Sequence, residues 1–137
     1  MTDNLVAVLV EDDYGNIIIE RKLLELAGIQ HCLTFDSGVA ALDFIQKQGD
    51  SPQRIDVILL DICMPQVDGF MLLKAIRAVP AWATVPVVAL TASLLPAQLT
   101  KLKQAGFYSL LGKPLNVDRF PDQIRRILVG ESVWEIW

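Results

Sequence analysis

The sequence predicts an α/β domain with a five-stranded parallel sheet in the order 2-1-3-4-5, doubly wound by helices on both faces. Three observations carry this. Five short apolar runs rich in branched side chains recur along the chain, each is followed by a segment with helical spacing, and the marked polar residues fall just after the runs. A strand covered on both faces reads as a near-continuous apolar run. Alternating strands and helices form a parallel sheet, and right-handed crossovers place helices on both sides of it.

The first strand is expected at 5–10, with Glu11-Asp12-Asp13 at its end. A helix follows over 16–27, with Ile19, Leu23, Leu26 and Ala27 at core spacing, Glu20, Arg21, Lys22 and Glu25 on the remaining surface, and Gly28 as its stop. Asp12 or Asp13 can cap this helix, but three adjacent acids exceed what capping needs. Ile17, Ile18 and Ile19 cannot all face one core, so at least one is expected to be exposed. Strand two is expected at 29–35 and helix two at 39–48, with Ala41, Leu42 and Ile45 inward. The loop at 49–52 contains Gly and Pro.

The third apolar run, 55–60, ends abruptly on Asp61, and Pro65 with Asp68-Gly69 marks the turn beyond it. Helix three (70–79) presents Leu72, Leu73 and Ile76, stops at Pro80, and leaves Trp82 to cover the following loop. Strand four, 85–90, ends in Thr91-Ala92-Ser93. Pro96 then opens helix four, which Gly106 closes. Strand five, 107–111, ends in Gly112-Lys113-Pro114, and a last helix covers 117–129. The domain is assigned to residues 1–130, and residues 131–137 form a C-terminal aromatic tail.

At 137 residues the chain fits one domain, and 53% hydrophobic residues are enough for a real core. A net charge of −4 with no basic stripe argues against a nucleic-acid surface. No apolar run approaches the roughly 18 residues of a membrane span, and the first residues lack a basic leader. The expected location is the cytoplasm. Cys32 and Cys63 have no CxxC spacing, and the single histidine, His31, assembles no catalytic set.

In an open α/β sheet, ligands collect outside the carboxyl ends of the strands, at the point where strand order reverses. Here that point lies between strands one and three, so Glu11, Asp12 and Asp61 should converge there. Asp61 alone reads equally well as a turn cap. In company with two other acids it implies a cation, because clustered carboxylates raise one another's pKa values. An all-oxygen set favours Mg²⁺ held together with a phosphate. A hydroxyl from Thr91 and an ammonium from Lys113 would complete the surroundings of a phosphoryl group, with Asp61 where an in-line nucleophile belongs.

From Val6 to about Val129 the chain resembles the receiver domain of two-component response regulators, a flavodoxin-like (βα)5 fold. The matching set is Glu11-Asp12, Leu60-Asp61 with Met64-Pro65 and Asp68-Gly69, Ala89-Leu90-Thr91-Ala92, and Lys113-Pro114, with intervals of 30 residues from Asp61 to Thr91 and 22 from Thr91 to Lys113. The resemblance implies that Asp61 accepts a phosphoryl group from a phosphohistidine on a sensor histidine kinase or histidine phosphotransfer protein. It implies a Mg²⁺ site of Glu11, Asp12, Asp61 and the Cys63 backbone carbonyl, with Asp12 binding directly and Glu11 through water. Thr91 and Lys113 would contact the aspartyl phosphate, and the face made by helix four, strand five and helix five would shift.

The resemblance makes Ala92, Leu110, Ile17 and Pro114 switch or interface positions. Leu110 stands where the family usually has an aromatic switch, and Ile17 where it often has a basic residue, a difference bearing on partner choice. Leu110 with Leu94 and Leu95 is expected to give a more apolar output face, favouring a homodimer or an unidentified protein target. Trp134 is expected to pack back on the domain.

The leading expectation is a stand-alone phospho-switch, not an enzyme, with no output domain. A non-phosphorylated scaffold is the alternative. A Mg²⁺-dependent phosphatase with an aspartyl nucleophile would need a second Asp where Cys63 stands, and an FMN phosphate would be repelled by Glu11-Asp12-Asp13.

Overall fold

The computed structural model describes residues 4–92 and 95–135. Its strands are β1 (Val6–Val10), β2 (His31–Phe35), β3 (Val57–Asp61), β4 (Val87–Thr91), β5 (Ser109–Gly112) and β6 (Trp134–Glu135). The helices are α1 (Tyr14–Leu26), α2 (Gly38–Gln46), α3 (Gly69–Arg77), α4 (Pro96–Ala105) and α5 (Phe120–Leu128). All strand pairings are parallel, in the order β2-β1-β3-β4-β5-β6. The expected five-strand order is present, and the tail adds a sixth strand at the β5 edge. Residues 131–135 therefore do not form a separate appendage.

Strand periodicity divides the core into two layers. Val8, Val10, Ile58, Leu60, Val87, Ala89 and Leu110 face one way, toward Ile45, Leu72, Ile76 and Trp82. Ala7, Leu9, Val57, Leu59, Val88, Leu90 and Leu111 face the other, toward Leu23, Leu24, Phe120 and Ile124. Trp82 is not a surface cover for its loop. It is 2% exposed, and its indole N–H donates to the Gln53 carbonyl at 2.9 Å. Arg77 supports the same turn by donating to the carbonyls of Trp82 and Val85.

The register of α1 differs from the expectation. Ile17, Glu20, Leu23 and Leu24 are buried, whereas Ile19 and Leu26 are 53% and 57% exposed. The apolar pattern misassigned the stripe because one of its core-facing positions carries a glutamate. Asp13 is the N-cap of α1 and accepts from the Asn16 N–H at 2.9 Å, so the helix starts earlier than expected. Conversely, α5 starts later. Asn116 Oδ1 accepts from the N–H groups of Asp118 and Arg119, which holds 116–119 in a turn.

The loop between β3 and α3 is fixed by close backbone packing against the start of α2. A Cβ on Gly38 would lie 1.9 Å from the Val67 carbonyl oxygen, a contact that only displacement of the loop relieves. Gly38→Ala should therefore lower unfolding stability in urea by about 2–3 kcal/mol. A loss below about 0.5 kcal/mol would contradict this packing.

Candidate functional site

The ends of β1, β3 and β5 deliver the charged groups to one place. Glu11 follows β1, is fully buried, and its N–H donates to the Phe35 carbonyl at 3.1 Å. Asp61 ends β3 and is 5% exposed. Lys113 follows β5, and its N–H donates to the Thr91 carbonyl at 2.9 Å. Its ammonium donates to Glu11 Oε1 at 2.8 Å and to Asp61 Oδ2 at 3.1 Å. One cation thus bridges two carboxylates that arrive from strands on either side of the switch point.

The second oxygens are also engaged. Glu11 Oε2 accepts from the Asp13 N–H at 3.1 Å, and Asp61 Oδ1 accepts from the Cys63 N–H at 3.1 Å. Ligand oxygens of Glu11, Asp12 and Asp61 all lie within 4.8 Å of one another, with Asp12 on the exposed side. This all-oxygen set, open to solvent at Asp12, fits a hard divalent cation such as Mg²⁺. Burial raises the Asp61 pKa most, and Glu11 adds to the rise. Lys113 and the Cys63 N–H offset part of it. Burial works against the Lys113 ammonium, but hydrogen bonds to Glu11 and Asp61 outweigh it and raise its pKa.

Asp61, Cys63, Ala92 and Lys113 line one open cleft. Thr91 ends β4 opposite Gly112, is 3% exposed, and lines an adjoining hollow with Ile62, Cys63, Phe70 and Gln98. Pro114 follows a cis peptide bond and lines a second cleft with Asn16, Ile19 and Glu20.

Two expected interface residues are withdrawn from the surface. Ile17 is 6% exposed, because it lies on the core stripe of α1, and the exposed isoleucines are Ile18 and Ile19. Leu110 is fully buried in the sheet, opposite Trp134 of β6, and so cannot make the output face more apolar. Of its two suggested companions, Leu95 is 63% exposed, and Leu94 lies outside the described residues.

A family model described as the response regulator receiver domain matches residues 7–125. The chain belongs to this family. Among its relatives, the polar-differentiation response regulator DivK of Brucella anthropi is 31% identical over 121 residues, covering 88% of this chain and 94% of that protein. The two-component response regulator ORR1 of Oryza sativa subsp. japonica is 32% identical over 116 residues, covering 79% of this chain and 49% of the relative. The chain therefore spans about half the length of the rice protein.

Among solved structures, chemotaxis response regulator CheY4 of Vibrio cholerae is similar with a TM-score of 0.79 at 27% identity, covering 91% of this chain and 99% of that one. The receiver domain of sensor histidine kinase PA1611 from Pseudomonas aeruginosa PAO1 gives 0.77 at 28%, covering 94% and 100%, and has a magnesium ion coordinated in its active site cleft.

This receiver domain also buries an ionisable residue at a position where hydrophobic spacing predicts surface. Glu20 is 3% exposed, and its Oε1 has no hydrogen-bond partner among the described residues. Burial first, and then its interaction with Glu11, pushes its pKa up to about 9 from an ordinary value of 4.5. The available signal was its spacing of three from both Ile17 and Leu23 on one helix face.

Because the folded chain keeps this proton through a range where the unfolded chain has lost it, stability falls as pH rises from about 4.5 to about 9. Glu20→Gln should remove that slope. In chelator-containing buffer, its stability gain over the native chain should be about 2–4 kcal/mol larger at pH 8 than at pH 5, measured by urea unfolding. Parallel pH profiles for the two proteins would contradict the assignment.

Proposed function

We propose that Asp61 is the phosphoacceptor of a response regulator that receives its phosphoryl group from a phosphohistidine on a sensor histidine kinase or histidine phosphotransfer protein. The observation that carries this reading is the Lys113 ammonium shared between Glu11 and Asp61, beside an open three-carboxylate set. A carboxylate oxygen of Asp61 attacks phosphorus in line. The P–O bond forms as the P–N bond breaks, and the electron pair leaves with the imidazole, which retains or takes up a proton.

Asp12, Glu11, Asp61 and the Cys63 carbonyl would hold Mg²⁺, which when bound neutralises charge on the phosphoryl oxygens. Lys113 supplies a second positive charge from within the fold. Its contact with Asp61 before transfer gives a preorganised donor for the charge that arrives. Thr91, at the end of the neighbouring strand β4, would contribute its hydroxyl to the phosphoryl group. Burial raises the basicity of Asp61 and so strengthens the nucleophile that remains ionised.

In this reading the chain is a phosphoacceptor that acts through partner binding in the cytoplasm, and not an enzyme with a separate substrate. No helix among the described residues is long and apolar enough to cross a membrane. New charge at Asp61 draws on Thr91 and Lys113, which end β4 and β5, and shifts the face formed by α4, β5 and α5. Because residue 110 is a leucine, the readout does not use an aromatic side chain at that position. The downstream target is a protein still to be identified.

Incubation with acetyl phosphate and Mg²⁺ should add one phosphoryl group by intact mass. Chelation of the metal, or Asp61→Asn, should lower the yield at least 100-fold. Equal labelling of the native and Asp61→Asn chains would refute the assignment of the acceptor.

A further inference from the structure

The edge of β5 holds an occupant with specific chemistry. Leu110 N–H donates to the Val133 carbonyl at 2.8 Å, and Val133 N–H donates to Ser109 Oγ at 2.8 Å. Val133 is 1% exposed and enters the core layer that contains Phe120 and Ile124. Two residues later, Glu135 accepts from Gln123 Nε2 at 2.9 Å and from Arg126 Nη1 at 2.9 Å, with Arg119 at 3.4 Å. Between them, the Trp134 ring lies 4.9 Å from the Lys103 ammonium of α4. The β5 edge is therefore a slot with an apolar hole, a backbone ladder and a cationic rim contributed by α4 and α5.

We propose that this slot is a strand-addition docking site for an extended protein segment carrying an apolar residue and, two positions on, a carboxylate. Residues Ser132–Glu135 are its resident occupant in cis, and a partner segment of the same chemistry competes with them. The ladder is two residues long, and Arg119 and Arg126 keep 44% and 32% of their side-chain surface exposed, so the rim contacts are open to solvent and Val133 is the occupant's one fully buried anchor. Main-chain hydrogen bonds supply affinity in strand addition, and alternate side chains supply specificity. Nothing in these contacts requires the occupant to be covalently attached. The rim is basic on a chain whose net charge is −4, which selects an acidic segment locally.

The test uses no phosphoryl donor, so its outcome is independent of the function proposed for Asp61. A blocked peptide with the sequence of residues 131–135, Glu-Ser-Val-Trp-Glu, is titrated into the full native chain and into a full chain opened by Val133→Asp and Glu135→Arg. Amide chemical shifts of Leu110 and Leu111 are followed. The opened chain should bind the peptide at least tenfold more tightly than the native chain, and a peptide with Asp in place of Val should not bind.

A folded opened chain with no response at Leu110, or equal responses from both chains, would overturn the proposal. If the opened chain fails to fold, hydrogen exchange of the native chain decides. Exchange of the Leu110 amide at least tenfold faster than the β4 amides would support a displaceable occupant. Exchange at the rate of β4 would overturn it.

Discussion

The structure depends on one interaction, the sharing of the single Lys113 ammonium between two buried carboxylates, Glu11 and Asp61. Glu11 is fully buried and Asp61 nearly so, while Lys113 retains 17% of its side-chain exposure. Removing the Lys113 ammonium leaves both carboxylates without a counter-charge in a poorly solvated place, which is costly. The three residues come from three strands, so the electrostatic requirement also fixes the relative height of β1, β3 and β5. The sheet in turn holds the groups without the entropy cost of ordering long loops. Glu20 adds a fourth carboxyl to this neighbourhood, and it is accommodated by keeping its proton.

Much of this was legible in the sequence because the physics that forms strands also marks their ends. A run such as Val57–Leu60 is buried on both faces, so the first acid after it stands at an edge where polar groups regain solvent or partners. That reasoning located Glu11, Asp61, Thr91 and Lys113, and the order of strands brought the first two together. The misread positions share a different cause. On α1 the stripe of Ile17, Glu20 and Leu24 includes a charge, so a reading of hydrophobic spacing chose the adjacent stripe. The spacing of three from Ile17 and Leu23 puts Glu20 on the buried face, but the proximity to Glu11 that adds to its pKa shift is a tertiary effect.

The tail shows the same limit. Val133-Trp134-Glu135 has too few residues for a periodic signal, and its strand exists because Ser109, Gln123 and Arg126 meet it from elsewhere in the chain. Its presence alters the meaning of Leu110. In an exposed edge strand, that position would bear on the surface properties of the α4, β5 and α5 face. With β6 beside it, Leu110 is an interior residue, and the character of that face is set instead by Trp134, Glu135 and the basic side chains around them. Since β5 also leads directly to Lys113, the covered edge and the charged cleft share one strand.

The most direct measurement is chemical trapping of the acyl phosphate. The chain is phosphorylated, reduced with borohydride, digested and mapped by peptide mass. A nucleophilic Asp61 held by Lys113 predicts conversion of residue 61 to homoserine, with the other acids of the cleft unchanged. Reduction at Glu11 or Asp12 instead, or a phosphoryl group recovered on a hydroxyl or a histidine, would contradict the account.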